Sequence, residues 1–109
     1  MLDRAYDIFL ETLANRNRLE IIDFLKNGSK TVTEISEELE MHQTTVSHNL
    51  ARLEKCGFVT GEQQGKYCLY ALNKETIEPL MKLIEKHLNK YCRKVCCLEE
   101  QEIKVLLQR

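Results

Sequence analysis

At 109 residues the chain has room for one modest hydrophobic core, which excludes a two-domain organisation. Hydrophobic residues make up 43% and charged residues 30%; no apolar run is long enough to span a bilayer, and the amphipathic, acidic start MLDRAYDIFLETLA is unlike a signal peptide, so a cytoplasmic location with no membrane partner is expected. A net charge of −1 argues at first against nucleic acid, and five cysteines, an odd number, argue against a disulfide framework.

The first predicted helix runs from about Asp3 to Ala14, with Ala5, Ile8, Phe9, Thr12 and Leu13 on one face. Asn15 and Asn17 interrupt it. A second helix, about Arg16 to Lys26, turns Leu19, Ile22 and Leu25 inward with help from Ile21 and Phe24, and Asn27-Gly28 stops it. Thr31 or Thr33 can cap a third helix; with Thr31 at the cap, Glu34 stands three residues on, the spacing of a capping box. Ile35 and Leu39 face the core there, and Glu34, Glu37, Glu38 and Glu40 form a solvated acidic face. Met41-His42-Gln43 reads as a tight turn. A fourth helix, about Gln43 to Lys55, buries Val46, Leu50 and Leu53 and ends at Gly57. Phe58 to Gly61 and Tyr67 to Leu72 are short strands joined by the polar tip Glu62 to Lys66.

The last long helix starts near Thr76 to Pro79, because proline is tolerated in a first turn. Ile77, Met81, Ile84, Leu88, Tyr91, Val95 and Leu98 then recur at about 3.5-residue spacing, the repeat of a lengthwise helix seam. So small a domain has little core for this stripe, so Ile77, Met81, Ile84, Leu88 and Tyr91 are expected at a homodimer interface shared with the first helix; packing within one subunit is the alternative. The expected fold class is mainly α with a small β-hairpin. It is a single winged helix-turn-helix domain over 1–109, with the helix-turn-helix at 31–56, the wing at 58–72, and a dimerisation helix with its cysteines at 76–97.

Charge is segregated along the chain. Four glutamates face one lysine between Lys30 and Met41, three basic residues face two acidic from His42 to Lys66, and six face three from Lys74 to Lys94. DNA contact is therefore permitted locally. The polar surface of the fourth helix offers Gln43, Thr44, Thr45, Ser47, His48, Asn49 and Arg52, with Lys66 at the wing tip. Gln and Asn pair with adenine, Thr offers a hydroxyl and a methyl, and Arg reads guanine or grips phosphate. A merely solvated polar face is the plain alternative, weakened by the turn before it and the hairpin after it. A protein-interaction module without DNA binding also stays open.

The stretch from Met41 to Leu72 resembles the arsenic-repressor (ArsR/SmtB-type) family of winged-helix repressors. The shared parts are T-V-S-H-x-L-x-x-L in the fourth helix, G-F-V opening the first strand and G-K-Y-x-x-Y-x-L in the second; FLETLANRNRLEIIDFL is similar to the family's opening pattern. The resemblance spans roughly residues 5–90 and implies a homodimer on double-stranded operator DNA, released when a metal or metalloid binds. Where many members carry Cys-x-Cys in the third helix, this chain has Thr31 and Thr33. Of the zinc ligands that others place on the last helix only His87 is matched, with Lys74, Thr76 and Lys90 in the remaining places.

Cys92, Cys96 and Cys97 remain, three thiols within six positions beside Lys90, Arg93 and Lys94, whose charges favour thiolate. Three soft donors without a nearby carboxylate suit As(III) or Sb(III) as inducer. Zn or Cd with His87 added, a thiol-redox switch, and inert buried cysteines are the alternatives. Cys56 and Cys68 are expected in the core. No nucleophile–base pair or phosphate loop suggests an enzyme.

Overall fold

The computed structural model describes residues 2–92. The elements run α1 (Arg4–Leu13), α2 (Arg16–Leu25), α3 (Val32–Leu39), α4 (Gln43–Lys55), β1 (Val59–Gln64), β2 (Tyr67–Leu72) and α5 (Ile77–His87), followed by a π-helical turn, Leu88–Cys92. The helix starts follow local chemistry. Asp3 caps α1 by accepting from the Ala5 N–H, and Asn15 caps α2 by accepting from the Arg18 N–H. Thr31 caps α3 in a full capping box: its hydroxyl accepts from the Glu34 N–H at 3.2 Å while Glu34 accepts from the Thr31 N–H at 3.0 Å. The Thr31 N–H first, and then the Thr31 side chain, hold the Glu34 carboxyl below its ordinary value.

The helix-turn-helix joint departs from a simple Met41–Gln43 turn. Glu40 takes a left-handed conformation at φ 53°, unusual for a residue with a side chain. Ser36 then locks the bend, its Oγ donating to Met41 O at 2.5 Å while its carbonyl accepts from the Met41 N–H at 3.1 Å.

The wing is a two-stranded antiparallel hairpin registered from Val59↔Leu72 to Gln64↔Tyr67. β1 continues through Glu62, Gln63 and Gln64, so the five-residue tip expected from sequence shrinks to Gly65-Lys66. Gly65, at φ 60°, supplies the positive angle that a two-residue hairpin turn requires. Lys30 adds a short third rung, exchanging backbone bonds with Tyr70 at 3.0 and 2.8 Å.

Ile21, Ile22, Leu25, Ile35, Val46, Leu50, Leu53, Phe58, Val59, Leu72 and Ile77 form one core from α2, α3, α4, the hairpin and the start of α5. Burying each such side chain stabilises by roughly 1.5–3 kcal/mol before entropy is counted. Phe9 of α1 stacks on Phe58 at 4.9 Å.

Three sequence expectations change here. Ile77 is only 4% exposed within its own subunit, so it belongs to the core and leaves no surface for a partner seam. The expected continuous last helix gives way to π-type hydrogen bonding from Leu88, which breaks the 3.5-residue repeat; nothing in LNKYC is a helix breaker that could have announced it. Cys56 and Cys68 are half-buried, not fully enclosed. Among the described residues no helix is long and apolar enough to cross a membrane.

Candidate nucleic-acid interface

Helix α4 divides its surface into three stripes. Val46, Leu50 and Leu53 are fully buried in the core. A second stripe, Thr45, Asn49, Arg52 and Cys56, is buried or half-buried, with Asn49 bonded to Arg18 of α2 and Arg52 and Cys56 meeting Thr12 of α1. The third, Gln43, Thr44, Ser47, His48, Ala51 and Lys55, is exposed. Glu54 is exposed as well but is engaged by the wing, so this third stripe is the part of α4 best placed to meet a ligand surface.

The division corrects the sequence reading at two positions. Asn49 is 9% exposed and points inward: its Oδ1 accepts from Arg18 Nη1 at 3.2 Å and its Nδ2 donates to Thr45 O at 2.9 Å. Arg52 folds back onto α1, its Nε donating to Thr12 Oγ1 at 3.0 Å. Neither side chain lies on the exposed face. The spacing carries the reason: Asn49 is three residues after Val46 and four before Leu53, on the flank of the buried stripe. Thr45 is half-buried beside them.

Gln43, Thr44, Ser47 and His48 lie together on the exposed stripe, apart from a long 3.4 Å bond from Gln43 Nε2 to Thr33 Oγ1. Ala51, which sequence reasoning passed over, stands within it. A methyl there lets the helix axis come close to whatever it meets. His42 precedes the helix without a side-chain cap bond, so the first turn keeps its N–H groups available.

The wing is held at a set angle to α4. Glu54, in the last turn of α4, accepts from the Gly61 N–H at 3.2 Å. Gly61 has no room for a side chain, since a Cβ there would stand 2.9 Å from Tyr70 Cε1 and 3.3 Å from Cys68 Sγ. Burial first, then a hydrogen bond with Cys68 and the Glu54 charge, raise the Tyr70 phenol above its usual value, so it stays neutral. At the tip Lys66 and Tyr67 are exposed, Tyr67 by 63%. Tyr67 is a second feature that sequence reasoning missed; an exposed aromatic beside a lysine was its signal.

The expected dimer residues other than Ile77 grade outward along the last helix. Met81 still packs against the core, Ile84 and Leu88 are half-buried, and Tyr91 is 61% exposed. Leu83 is 64% exposed, and on α1 Tyr6 and Leu10 are 54% and 56% exposed. Leu10, Leu13, Leu19, Phe24, Ile84 and Leu88 line one open groove that runs over α2 between the end of α1 and the end of α5, with Arg16, Glu20, Asp23 and Glu85 also along it. The His87 and Tyr91 rings meet in a tilted contact, with centroids 4.9 Å apart and an interplanar angle of 41°. Among the described residues no three His, Cys, Asp or Glu side chains are placed to hold a metal ion. Cys92 ends the π-helical turn, and Cys96 and Cys97 lie outside the described residues.

Helix, turn, reading helix and antiparallel wing, in this order and packing, define a winged helix-turn-helix transcriptional regulator. The chain belongs to the ArsR family: residues 15–60 match the model of the bacterial regulatory protein arsR family. It is similar to the HTH-type transcriptional regulator NmtR of Mycobacterium tuberculosis, 40% identical over 63 residues, 58% of this chain and 52% of that protein. The chain thus spans about half the length of that relative. It is 30% identical over 79 residues to an arsenical resistance operon repressor of Bacillus subtilis, 72% of this chain and 75% of the relative. Among solved structures it is similar to a homodimeric winged helix-turn-helix DNA-binding domain from Mycobacterium bovis, at 29% identity and TM-score 0.75, covering 80% and 81% of the two chains.

Proposed function

We propose that the chain is a homodimeric repressor that binds operator DNA in the cytoplasm and lets go when a thiophilic ion binds near the end of its last helix. The observation that carries the DNA-binding part is the exposed stripe Gln43, Thr44, Ser47 and His48, presented beside a wing tipped by Lys66. Short polar side chains at the start of a helix reach base edges in a major groove, and the lysine supplies a phosphate contact. Dimerisation is supported by the open groove over α2, whose floor carries Leu10, Leu13, Leu19, Ile84 and Leu88, and by the exposure of Tyr6, Leu10, Leu83 and Tyr91, which a second copy would cover. The M. bovis relative is homodimeric.

For the inducer, the donor set is what supports the reading. Cys92, Cys96 and Cys97 supply three soft sulfur ligands within six positions, a set that suits As(III) or Sb(III) better than a hard cation. The B. subtilis relative is named for arsenical resistance. Cys92 ends the helix that carries the proposed dimer seam, so an ion captured there would alter how two subunits dock. A coupling of about 1–3 kcal/mol makes a serviceable switch. Zn or Cd, with His87 as a further ligand, belongs to the same test.

The test is anaerobic binding to a duplex selected from a random library, titrated in parallel with arsenite, antimonite, zinc, cadmium and a mild oxidant. Arsenite or antimonite is expected to release the wild-type protein, and the Cys96→Ser/Cys97→Ser variant is expected to bind DNA normally and ignore both. Undiminished release of that variant places the sensor elsewhere, and release by oxidant alone makes the thiols a redox switch.

A further inference from the structure

Four polar side chains that lie off the exposed face of α4 form one connected clasp across three helices. Arg18 of α2 donates from Nε to Thr12 O at 2.5 Å and from Nη2 to Glu11 O at 3.1 Å. Those carbonyls belong to the last turn of α1 and have no partner within that helix, so the guanidinium both satisfies them and sits as a cation at the helix's negative end. Its remaining terminal nitrogen, Nη1, donates to Asn49 of α4 at 3.2 Å. One turn on, Arg52 of α4 donates to Thr12 Oγ1 at 3.0 Å, and the same hydroxyl donates to Ile8 O at 2.7 Å. Thr12 is fully buried and Asn49 nearly so.

This is a larger polar investment than a hydrophobic core needs. A lysine at position 18 could offer charge, but not a planar fork reaching two helices at once. The clasp also lies off the stripe of Gln43, Thr44, Ser47 and His48 that is proposed to read DNA. It fixes the pose of α4 relative to α1. We propose that Arg18 and Asn49, backed by Thr12 and Arg52, are positioning residues that set the operator half-site spacing the protein accepts. The inference rests on the proposed dimer: if α1 packs on a second copy, the α1–α4 angle determines the separation and tilt of the two reading helices. A clasp of charge-assisted bonds makes that angle stiff, and a stiff angle makes the spacing preference sharp.

The experiment measures affinity for a series of selected duplexes whose half-site separation changes by one base pair at a time, each step moving a half-site by about 3.4 Å along the axis. Wild-type protein, Arg18→Lys, Asn49→Ala and Asn49→Asp are compared, with sedimentation and thermal melts confirming folded dimers. The wild type is expected to show a narrow optimum. Asn49→Ala and Arg18→Lys are expected to lower the preference for the best spacing over its neighbours by roughly tenfold, as befits a lost bond to a charged group. Asn49→Asp, whose carboxylate still accepts from Arg18, is expected to keep the narrow profile whatever its overall affinity. Should Asn49→Ala not fold, Arg18→Lys and Asn49→Asp decide the matter. An unchanged profile in Arg18→Lys, or a broadened one in Asn49→Asp, overturns the inference. Failure of the wild type to bind any duplex instead overturns the functional reading beneath it.

Discussion

Thr12 in α1 and Arg52 in α4 are forty residues apart in the chain, and their side chains meet at 3.0 Å at a fully buried hydroxyl. That hydroxyl also donates to Ile8 O and lies 3.4 Å from Cys56 Sγ. Replacing Thr12 with Val keeps the shape and removes both strong bonds. Half-buried Arg52 can recover part of its hydration, so the expected loss is about 1–2 kcal/mol in urea unfolding. A change below measurement error would mean that the hydroxyl is incidental.

Glu40 provides a gain-of-stability test. Its left-handed backbone costs a residue with a Cβ roughly 1–2 kcal/mol, and its negative charge sits at the negative end of α3. Glycine removes both penalties and gives back part of the gain as unfolded-state entropy. Glu40→Gly is expected to raise stability by about 0.5–1 kcal/mol in thermal or denaturant melts. A destabilised variant would show that the helix-turn-helix joint draws something from the Glu40 side chain.

Gly61 tests the joint between α4 and the wing. Alanine would bring its methyl to 2.9 Å from the Tyr70 ring, and overpacking of this kind costs roughly 1–3 kcal/mol. The hairpin is expected to loosen before the rest, so amide exchange should speed up in β1 and β2 while α2 and the core of α4 keep their protection. Uniform loss of protection in every element would contradict a local clash.

The Glu34 capping box has a signed pH signature. Its carboxyl is held below the ordinary value of 4.5 by the Thr31 N–H and hydroxyl, so the folded state favours the ionised form. The stability it adds is present above that ordinary value and is lost as pH falls through the lower folded one. Thermal melts of wild type and Glu34→Gln, taken from neutral pH downward, should therefore differ most at neutral pH and converge in acid. Curves that run parallel throughout would remove the carboxylate from the account.

Much of this was legible in the chain. Local signals with fixed offsets transferred well: the Thr31–Glu34 box, the bounds of α4, and Gly57 at φ 77° as its stop. What escaped depends on tertiary partners. Asn49 and Arg52 look like groove-reading residues on composition, and only the arrival of Arg18 and Thr12 from other helices turns them inward. The same holds for Ile77, whose place in a seam pattern is indistinguishable from a place in the core until the tertiary core is assembled around it. Asn73 was silent too. Its side chain accepts from the Glu75 and Thr76 N–H groups and donates to Gly57 O at 3.0 Å, tying the start of α5 to the end of α4.

The exposed stripe can be dissected one side chain at a time. Ser47→Ala or His48→Ala should cost about 1–3 kcal/mol on the selected duplex and relax its sequence preference, whereas Lys66→Ala should weaken all sequences alike and flatten the salt slope by about one. Equal losses on selected and random duplexes for Ser47 and His48 would demote them from base readers to phosphate contacts.

The paired presentation of α4 to DNA is tested most directly by titrating the wild-type protein onto a selected duplex at several salt concentrations. Two chains bound per duplex, with log affinity falling linearly against log salt, is the predicted result. A single chain per duplex, or no affinity even at low ionic strength, contradicts it.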